Sequence, residues 1–184
     1  MFTTPSIILR SRDVGEADRI YTFYTRDHGK IEALATGVRK IKSKLAGHCL
    51  LYTVIRATFF PGRERMRLVA AVAERSYHFI TVDSAACAVS GYAAEACDTM
   101  TKSGITDAAL FHVLVRLFEG LQKKSASPML LLHAFLFHFL SALGYRPSPS
   151  VLAKTDALPL LLKEHLAEPL HSEQFLRFAS GVHL

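Results

Sequence analysis

Arg19-Ile-Tyr-Thr-Phe-Tyr-Thr25, Arg26-Asp-His-Gly29 and Lys30-Ile-Glu-Ala-Leu-Ala-Thr36 follow one another without a gap, and their reading decides the fold. The first run is rich in Tyr, Phe, Thr and Ile, residues that suit a pleated surface buried on one face. The middle run is a tight connection in which Gly29 can supply a positive φ. The third run is again strand-like, so the stretch predicts two neighbouring strands of a meander. Upstream, residues 6–12 read as a first strand around Ile7-Ile8, and residues 13–18 as a polar turn containing Gly15. Downstream, residues 48–60 read as a long fourth strand, Pro61-Gly62 as a turn, and residues 66–77 as a fifth strand. Five strands in about 75 residues fit a small closed barrel of the OB type.

Between the third and fourth strands lies a loop, residues 36–47, with glycines near both ends. It places Arg39, Lys40, Lys42 and Lys44 within six residues and no acid among them. The partner that such a cluster suits is a polyanion, because each cation set against a phosphate releases a condensed counterion. A solvated turn is the plainer alternative for a basic run taken alone. The last hairpin adds Arg63, Arg65 and Arg67 at alternating positions. OB barrels bind single strands with a basic groove and aromatic platforms. Tyr21, Phe23, Tyr24, Tyr52, Phe59 and Phe60 are the aromatics available for stacking, although such residues more often fill a core.

The charge distribution agrees with that division. Residues 1–80 carry 14 Lys plus Arg against 7 Asp plus Glu, whereas residues 81–184 carry 8 against 9. The whole positive excess therefore sits in the first half, as expected for an anion-binding module joined to a near-neutral one. Cys49, Cys87 and Cys97 are odd in number and widely spaced, which argues against a disulfide framework or zinc knuckle. Buried thiols in a reducing cytoplasm are the simpler expectation. The N-terminal residues do not read as a signal peptide. No apolar run approaches the roughly 18 residues of a membrane span.

After Thr81 the pattern becomes helical. Asp83 can cap a helix over residues 84–100, and Gly104 breaks it. Thr106 or Asp107 starts a second helix to about Leu121, with Leu110, Val113, Leu114, Leu117 and Leu121 at helical spacing. Ser127-Pro128 opens a third, apolar nearly all round, that ends at Gly144 and should be the central buried helix. Residues 146–150 read as a linker-like break, and helices over 157–167 and 172–180 close the chain, the last stopped by Gly181. The fold class expected is α+β, with an OB-fold domain over residues 1–79 and a helical domain over 80–184.

With these segments placed, the chain resembles the bacterial RecO family of recombination mediators. Ile7-Ile8-Leu9-Arg10-Ser11-Arg12 and Gly15-Glu16-Ala17-Asp18-Arg19 resemble the family's opening strand and Glu-Ala-Asp turn. Thr25 to Lys30 resembles its Thr-x-x-x-Gly-Lys hairpin. Gly37 to Gly47 resembles Gly-x-Arg-x-x-x-Ser-x-Leu-x-Gly. Leu130 to Pro147, through Leu140, Leu143, Gly144 and Tyr145, resembles a core helix ending in Leu-Gly-Tyr. His165-Leu166 and Pro169-Leu170-His171-Ser172 resemble its terminal helix junction.

The resemblance implies binding of single- and double-stranded DNA and annealing of complementary strands. It implies work with the partner RecR, contact with the C-terminal tail of single-stranded-DNA-binding protein, and indirect help in loading RecA, in the cytoplasm on the nucleoid. It implies no cofactor and no membrane. The phosphate-contacting set expected is Arg10, Arg12, Arg26, Lys30, Arg39, Lys40, Lys42, Lys44, Arg63, Arg65 and Arg67. The partner socket expected between the second and central helices comprises Arg116, Leu117, Leu121, His133, Phe135, His138 and Phe139, with Lys123, Lys124 or Arg146 as further cations near its rim. The chain departs from the family pattern in two ways. No cysteine follows Cys97, so the family's four-cysteine zinc module is expected to be missing and the helical part short. His133 and Ala134 stand where the family often has two arginines, so the charge is expected from His133, His138 or neighbouring lysines, with tighter binding in acid if a histidine supplies it.

No motif for catalysis accompanies these features. Gly29-Lys30 lacks the upstream glycine and following hydroxyl of a phosphate-cradling loop, and no Gly-x-Ser-x-Gly elbow occurs. His133 and His138, five apart, fall on different helix faces and are not placed as a metal pair. His48 and Cys49 are expected to point to opposite faces of a strand. Glu16 reads as a partner for Arg19 or a loop amide. Two other readings stay open: an OB-fold RNA-binding factor, since a basic loop does not distinguish DNA from RNA, and a helical interaction scaffold.

Overall fold

The computed structural model describes residues 1–145, 147, 148, 157–166 and 168–180. Arg146 and most of the linker-like break, the expected helix end at Ala167 and the stop at Gly181 lie outside the described residues. The described chain forms two compact units. The first is Met1–Ser76 with Thr101–Phe111, and the second is Tyr77–Met100 with the described part of His112–Leu184. The units therefore interleave along the chain.

The first unit is a closed five-stranded barrel. Its strands are β1 (Phe2–Val14), β2 (Asp18–Thr25), β3 (Gly29–Ala35), β4 (Val54–Pro61) and β5 (Met66–Arg75). They run in the order β1-β2-β3-β5-β4, and β4 returns to pair with β1. All pairs are antiparallel except β3 with β5. This is the OB connectivity that the strand count suggests. β1 serves both sides of the closure: residues 2–7 pair with β4 and residues 6–14 with β2. The register slips between Ile8 and Arg10, a bulge that bends the strand around the barrel.

Alternation fills the interior. Tyr21 and Phe23 from β2, Ala33 and Ala35 from β3, and Ile55, Ala57 and Phe59 from β4 all enter one core with Ile8, Leu68 and Ala71. Small alanines on β3 face large rings on β2 and β4, and Phe23 meets Phe59 edge-on at 5.2 Å. Four of the aromatics considered for stacking, Tyr21, Phe23, Tyr24 and Phe59, are thus fully buried. Phe60 remains exposed, and Tyr52 is half-buried.

The fourth strand is shorter than its sequence suggests. Residues 48–53 are irregular, and Tyr52 takes a positive φ of 61°. The Tyr52 N–H donates to the Ile8 carbonyl at 2.9 Å, and the Ile8 N–H donates to Thr53 at 3.3 Å. Ile8 thus fixes where the basic loop re-enters the barrel. A propensity reading of Leu-Leu-Tyr-Thr sees only strand-forming residues, and this backbone turn overrides it.

Thr101–Phe111 covers the β2–β3 turn. The Tyr24 hydroxyl donates to the Asp107 carbonyl at 3.3 Å, and the Thr106 hydroxyl to Asp27 at 3.3 Å. Gly29 has φ +65°, and a Cβ there would lie 2.0 Å from the Ile105 carbonyl oxygen. The glycine meets both requirements, turn and close approach.

The helices are α1 (His78–Val82), α2 (Ser84–Met100), α3 (Ala108–Lys123), α4 (Pro128–Ala142), α5 (Ala157–Glu164) and α6 (Ser172–Ser180), all in the second unit except the first turn of α3, which belongs to the first. Asp83 accepts from the Ala86 N–H at 2.7 Å, Asp107 from Ala109 at 2.8 Å and Ser127 from Leu130 at 3.3 Å, so three helix starts carry the caps their sequences offer. Gly144 follows α4 with φ +93°, a left-handed helix end. Short α1 has no counterpart in the sequence reading. Gly120 on α3 admits Leu131 of α4, whose side chain would lie 2.9 Å from an added Cβ. Alanines 86, 88, 93, 94 and 96 of α2 are buried and allow close packing.

Candidate nucleic-acid interface

The basic loop has an apolar root and a charged tip. Val38 and Cys49 are buried in the barrel core, with Leu45 packed against it. Burial of the Cys49 thiol pushes its pKa up to about 11, so it is an inert thiol. Ile41 and the side chains of Arg39, Lys40, Lys42 and Lys44 project into solvent. The near end is tied down by backbone contacts. Asp18 accepts from the Gly37 N–H at 2.7 Å, and the Arg39 N–H donates to the Ala17 carbonyl at 3.0 Å. At the far end, His48 Nδ1 accepts from the Ala73 N–H at 3.3 Å.

The roles read for Glu16 are held by two aspartates. Asp13 pairs with Arg19 at 2.6 Å, and Asp18 holds the loop amide. The residue spacing did not separate these three acids. Geometry does, because Asp13 faces Arg19 across the β1–β2 pairing.

The expected phosphate contacts fall into two groups. Arg10 lies 3.8 Å from Glu32, Arg26 is 2.9 Å from Asp27, and Arg39 is 3.5 Å from Asp13. Lys30 is half-buried on β3 beside Ser103. By contrast, Arg12, Lys40, Lys42, Lys44, Arg63, Arg65 and Arg67 are exposed and form no ion pair among the described residues. Exposed pairs are weak, so the first group is not lost to a ligand, but the second is already available.

Two cavities border these cations. One, of about 560 Å³, lies at the β4–β5 turn and is lined by Leu34, Phe60, Arg63, Arg65 and Arg67, with Pro61, Gly62 and Glu64. It joins an exposed aromatic to three arginines. The other, of about 430 Å³, lies between β2 and the basic loop, lined by Arg19, Tyr21, Arg39, Lys40 and Leu50 among others.

In the helical unit, Leu117, Leu121, Phe135, Phe139 and His133 are buried, whereas Arg116 and His138 are exposed. A groove of about 220 Å³ is lined by Val113, Arg116, Leu117, Leu131, Ala134, Phe135 and His138. The structure thus brings together four of the seven expected socket residues. Leu121, His133 and Phe139 do not line the groove. Among the described residues no group of three or more His, Cys, Asp or Glu side chains is placed to hold a metal ion. Among them, too, no helix is long and apolar enough to cross a membrane.

A closed five-stranded barrel followed in sequence by helices defines an OB-fold protein with a helical C-terminal part. Comparison with known proteins agrees. Residues 1–77 match the family model for the recombination protein O N-terminal domain, and residues 82–158 match that for its C-terminal domain. The DNA repair protein RecO of Symbiobacterium thermophilum is 30% identical over 148 residues, covering 80% of this chain and 58% of that protein. Those of Roseiflexus sp. and Dehalococcoides mccartyi are each 32% identical, with 51% and 57% of their lengths covered. The chain belongs to the RecO family. It spans little more than half the length of these relatives.

Proposed function

We propose that the protein is a DNA repair and recombination mediator that binds single- and double-stranded DNA in the cytoplasm and anneals complementary strands without catalysing a reaction of its own. RecR and single-stranded-DNA-binding protein are its direct partners in this reading, and RecA loading is the indirect outcome. The observation that carries the proposal is the set of exposed barrel cations with no ion pair among the described residues, from Lys40, Lys42 and Lys44 to Arg63, Arg65 and Arg67. Phe60 beside those arginines supplies a surface on which a base can stack. The α3–α4 groove supports the partner half of the reading. Its apolar floor with Arg116 and His138 at the rim suits an acidic peptide ending in an aromatic residue, such as the tail of single-stranded-DNA-binding protein.

Anisotropy titrations across a salt series test both halves. Replacing Lys40, Lys42 and Lys44 with Ala is expected to weaken oligonucleotide binding irrespective of sequence. The salt slope should fall by about 0.7 per lost contact on a single strand. An unchanged slope removes the loop from the interface. Matched ribo-oligonucleotides, if preferred, favour the RNA-binding alternative. Arg116→Ala should weaken the tail peptide and leave oligonucleotide affinity alone, and loss of neither or both overturns the groove assignment.

A further inference from the structure

Arg19 and Arg39 converge on one carboxylate. Asp13 presents one oxygen to each: Oδ1 is 2.6 Å from Arg19 Nε, and Oδ2 is 3.5 Å from Arg39 Nε. The two guanidinium groups come from different elements, β2 and the basic loop. Each has a second support. Arg19 lies 6.0 Å from the centre of the Tyr21 ring, and Arg39 donates through Nη1 to the Gly15 carbonyl at 3.4 Å. All three side chains are between a third and a half exposed, so solvent and ligands reach them. Arg19 and Arg39 line the 430 Å³ cavity together with Lys40 and Leu50, and Asp13 does not.

A carboxylate that bridges two guanidinium groups shares with a phosphodiester its single negative charge and its pair of acceptor oxygens. Both offer two oxygens to planar donor forks. We infer that Arg19 and Arg39 form a phosphate subsite of the barrel, and that Asp13 is its internal competitor, occupying the two arginines until a phosphodiester displaces it. Arg19 is an addition to the cations read from the sequence, where it stood as a structural partner of Glu16. The subsite gives the loop a graded response. Lys40, Lys42 and Lys44 attract any polyanion, whereas engagement of Arg19 and Arg39 requires a phosphate that outcompetes a tethered carboxylate. Weakly held or poorly placed strands then gain less than strands seated in the cavity. The inference rests on the nucleic-acid reading of the barrel for its ligand, but not for its chemistry.

The alternative role for Asp13 is to staple the loop to the β1–β2 hairpin. The two roles predict opposite signs. Asp13→Asn keeps the size and a neutral acceptor while removing the competing charge. For a competitor, oligothymidylate affinity at low salt should rise by about threefold, the scale of one exposed ion pair. The salt slope should steepen by about 0.7 for each contact released. Adding Arg19→Gln to that variant should cancel the gain. For a staple, Asp13→Asn weakens binding or leaves it unchanged while wild-type binding remains measurable, and the inference is then wrong. If the wild type binds no oligonucleotide at low salt, the nucleic-acid reading fails by itself. The subsite is then decided with inorganic tripolyphosphate on the Asp13→Asn protein, followed through the Nε–H signals of Arg19 and Arg39. Displacement of both signals supports the subsite, and their invariance overturns it.

Discussion

The barrel and the helical unit put some of their charges to different uses. On the barrel, Lys40, Lys42, Lys44, Arg63 and Arg65 in its loops and Arg67 at the start of β5 have no acidic partner among the described residues. In the helical unit, charges near the chain's end are absorbed into structure. Glu173, largely buried, is held by Lys163 at 2.7 Å and by Arg177. Glu95 on α2 accepts the Ser172 and His171 N–H groups at 2.8 and 2.9 Å and so caps α6. Lys163 and Arg177 are engaged by a largely buried carboxylate, whereas those exposed barrel cations have no partner among the described residues to give up. The difference supports the proposal that polyanions bind to the barrel.

The largest test of this division is in the two cores. Phe59, fully buried, meets Phe23 within the barrel, and Phe139, also fully buried, stacks on Phe135 at 5.2 Å. Each replacement by Ala is expected to cost about 3–5 kcal/mol in denaturant unfolding. Phe59→Ala should lose oligonucleotide binding as the barrel melts. Phe139→Ala, measured below its transition, should bind oligonucleotide as the wild type does. Equal loss of binding in both variants would break the division of labour.

The barrel was legible because short-range signals agreed: strand-forming composition in β2 and β3, a glycine at the turn, and a Pro-Gly turn before β5. The helix starts were legible for the same reason, since Asp83, Asp107 and Ser127 act within one turn of where they stand. Relations across the chain were not legible. The return of Thr101–Phe111 to the barrel unit depends on a hydroxyl 83 positions from the carbonyl it meets. The pairing of Asp13 rather than Glu16 with Arg19 depends on strand register, which residue spacing does not give. The candidate interface was legible as composition, a basic loop and an arginine hairpin, but not as geometry. Sequence alone also counted Tyr21 and Phe23 among possible platforms, where alternation places them inside.

Gly29 tests the long-range part at an intermediate scale. Its φ of +65° and the Ile105 carbonyl oxygen, 2.0 Å from where a Cβ would sit, leave no room for a side chain. Gly29→Ala should therefore destabilise the first unit by about 2–3 kcal/mol, from backbone strain plus displacement of residues 101–111. Gly104 is the matched control: it also has a positive φ, +76°, but nothing lies within 4 Å of its Cβ position. Gly104→Ala carries the strain without the clash and should cost less. Equal costs would mean that the segment does not press on the turn in solution.

The smallest effect probes the helical unit's use of charge. Burial opposes ionisation of Glu95, but the Ser172 hydroxyl and the Ser172 and His171 N–H groups outweigh it and hold its carboxyl below the ordinary glutamate value. A carboxyl with a lower pKa in the folded chain stabilises that chain when ionised. The contribution is complete above the unfolded value of about 4.3 and is lost as pH falls through the folded value. Glu95→Gln removes the charge and one of the two acceptor oxygens. At neutral pH it should cost roughly 0.5–2 kcal/mol, the range of a lost helix cap. The gap between wild type and variant should narrow below about pH 4, because the wild-type carboxyl is then protonated as well. Comparing the two proteins at each pH separates Glu95 from Glu173, whose carboxyl is also held low, against its burial, by Lys163 and Arg177 and titrates in both. A gap that persists unchanged in acid would show that Glu95 supports α6 by size and hydrogen bonding alone. The helical unit would then owe this junction to packing, and only the barrel would depend on charge.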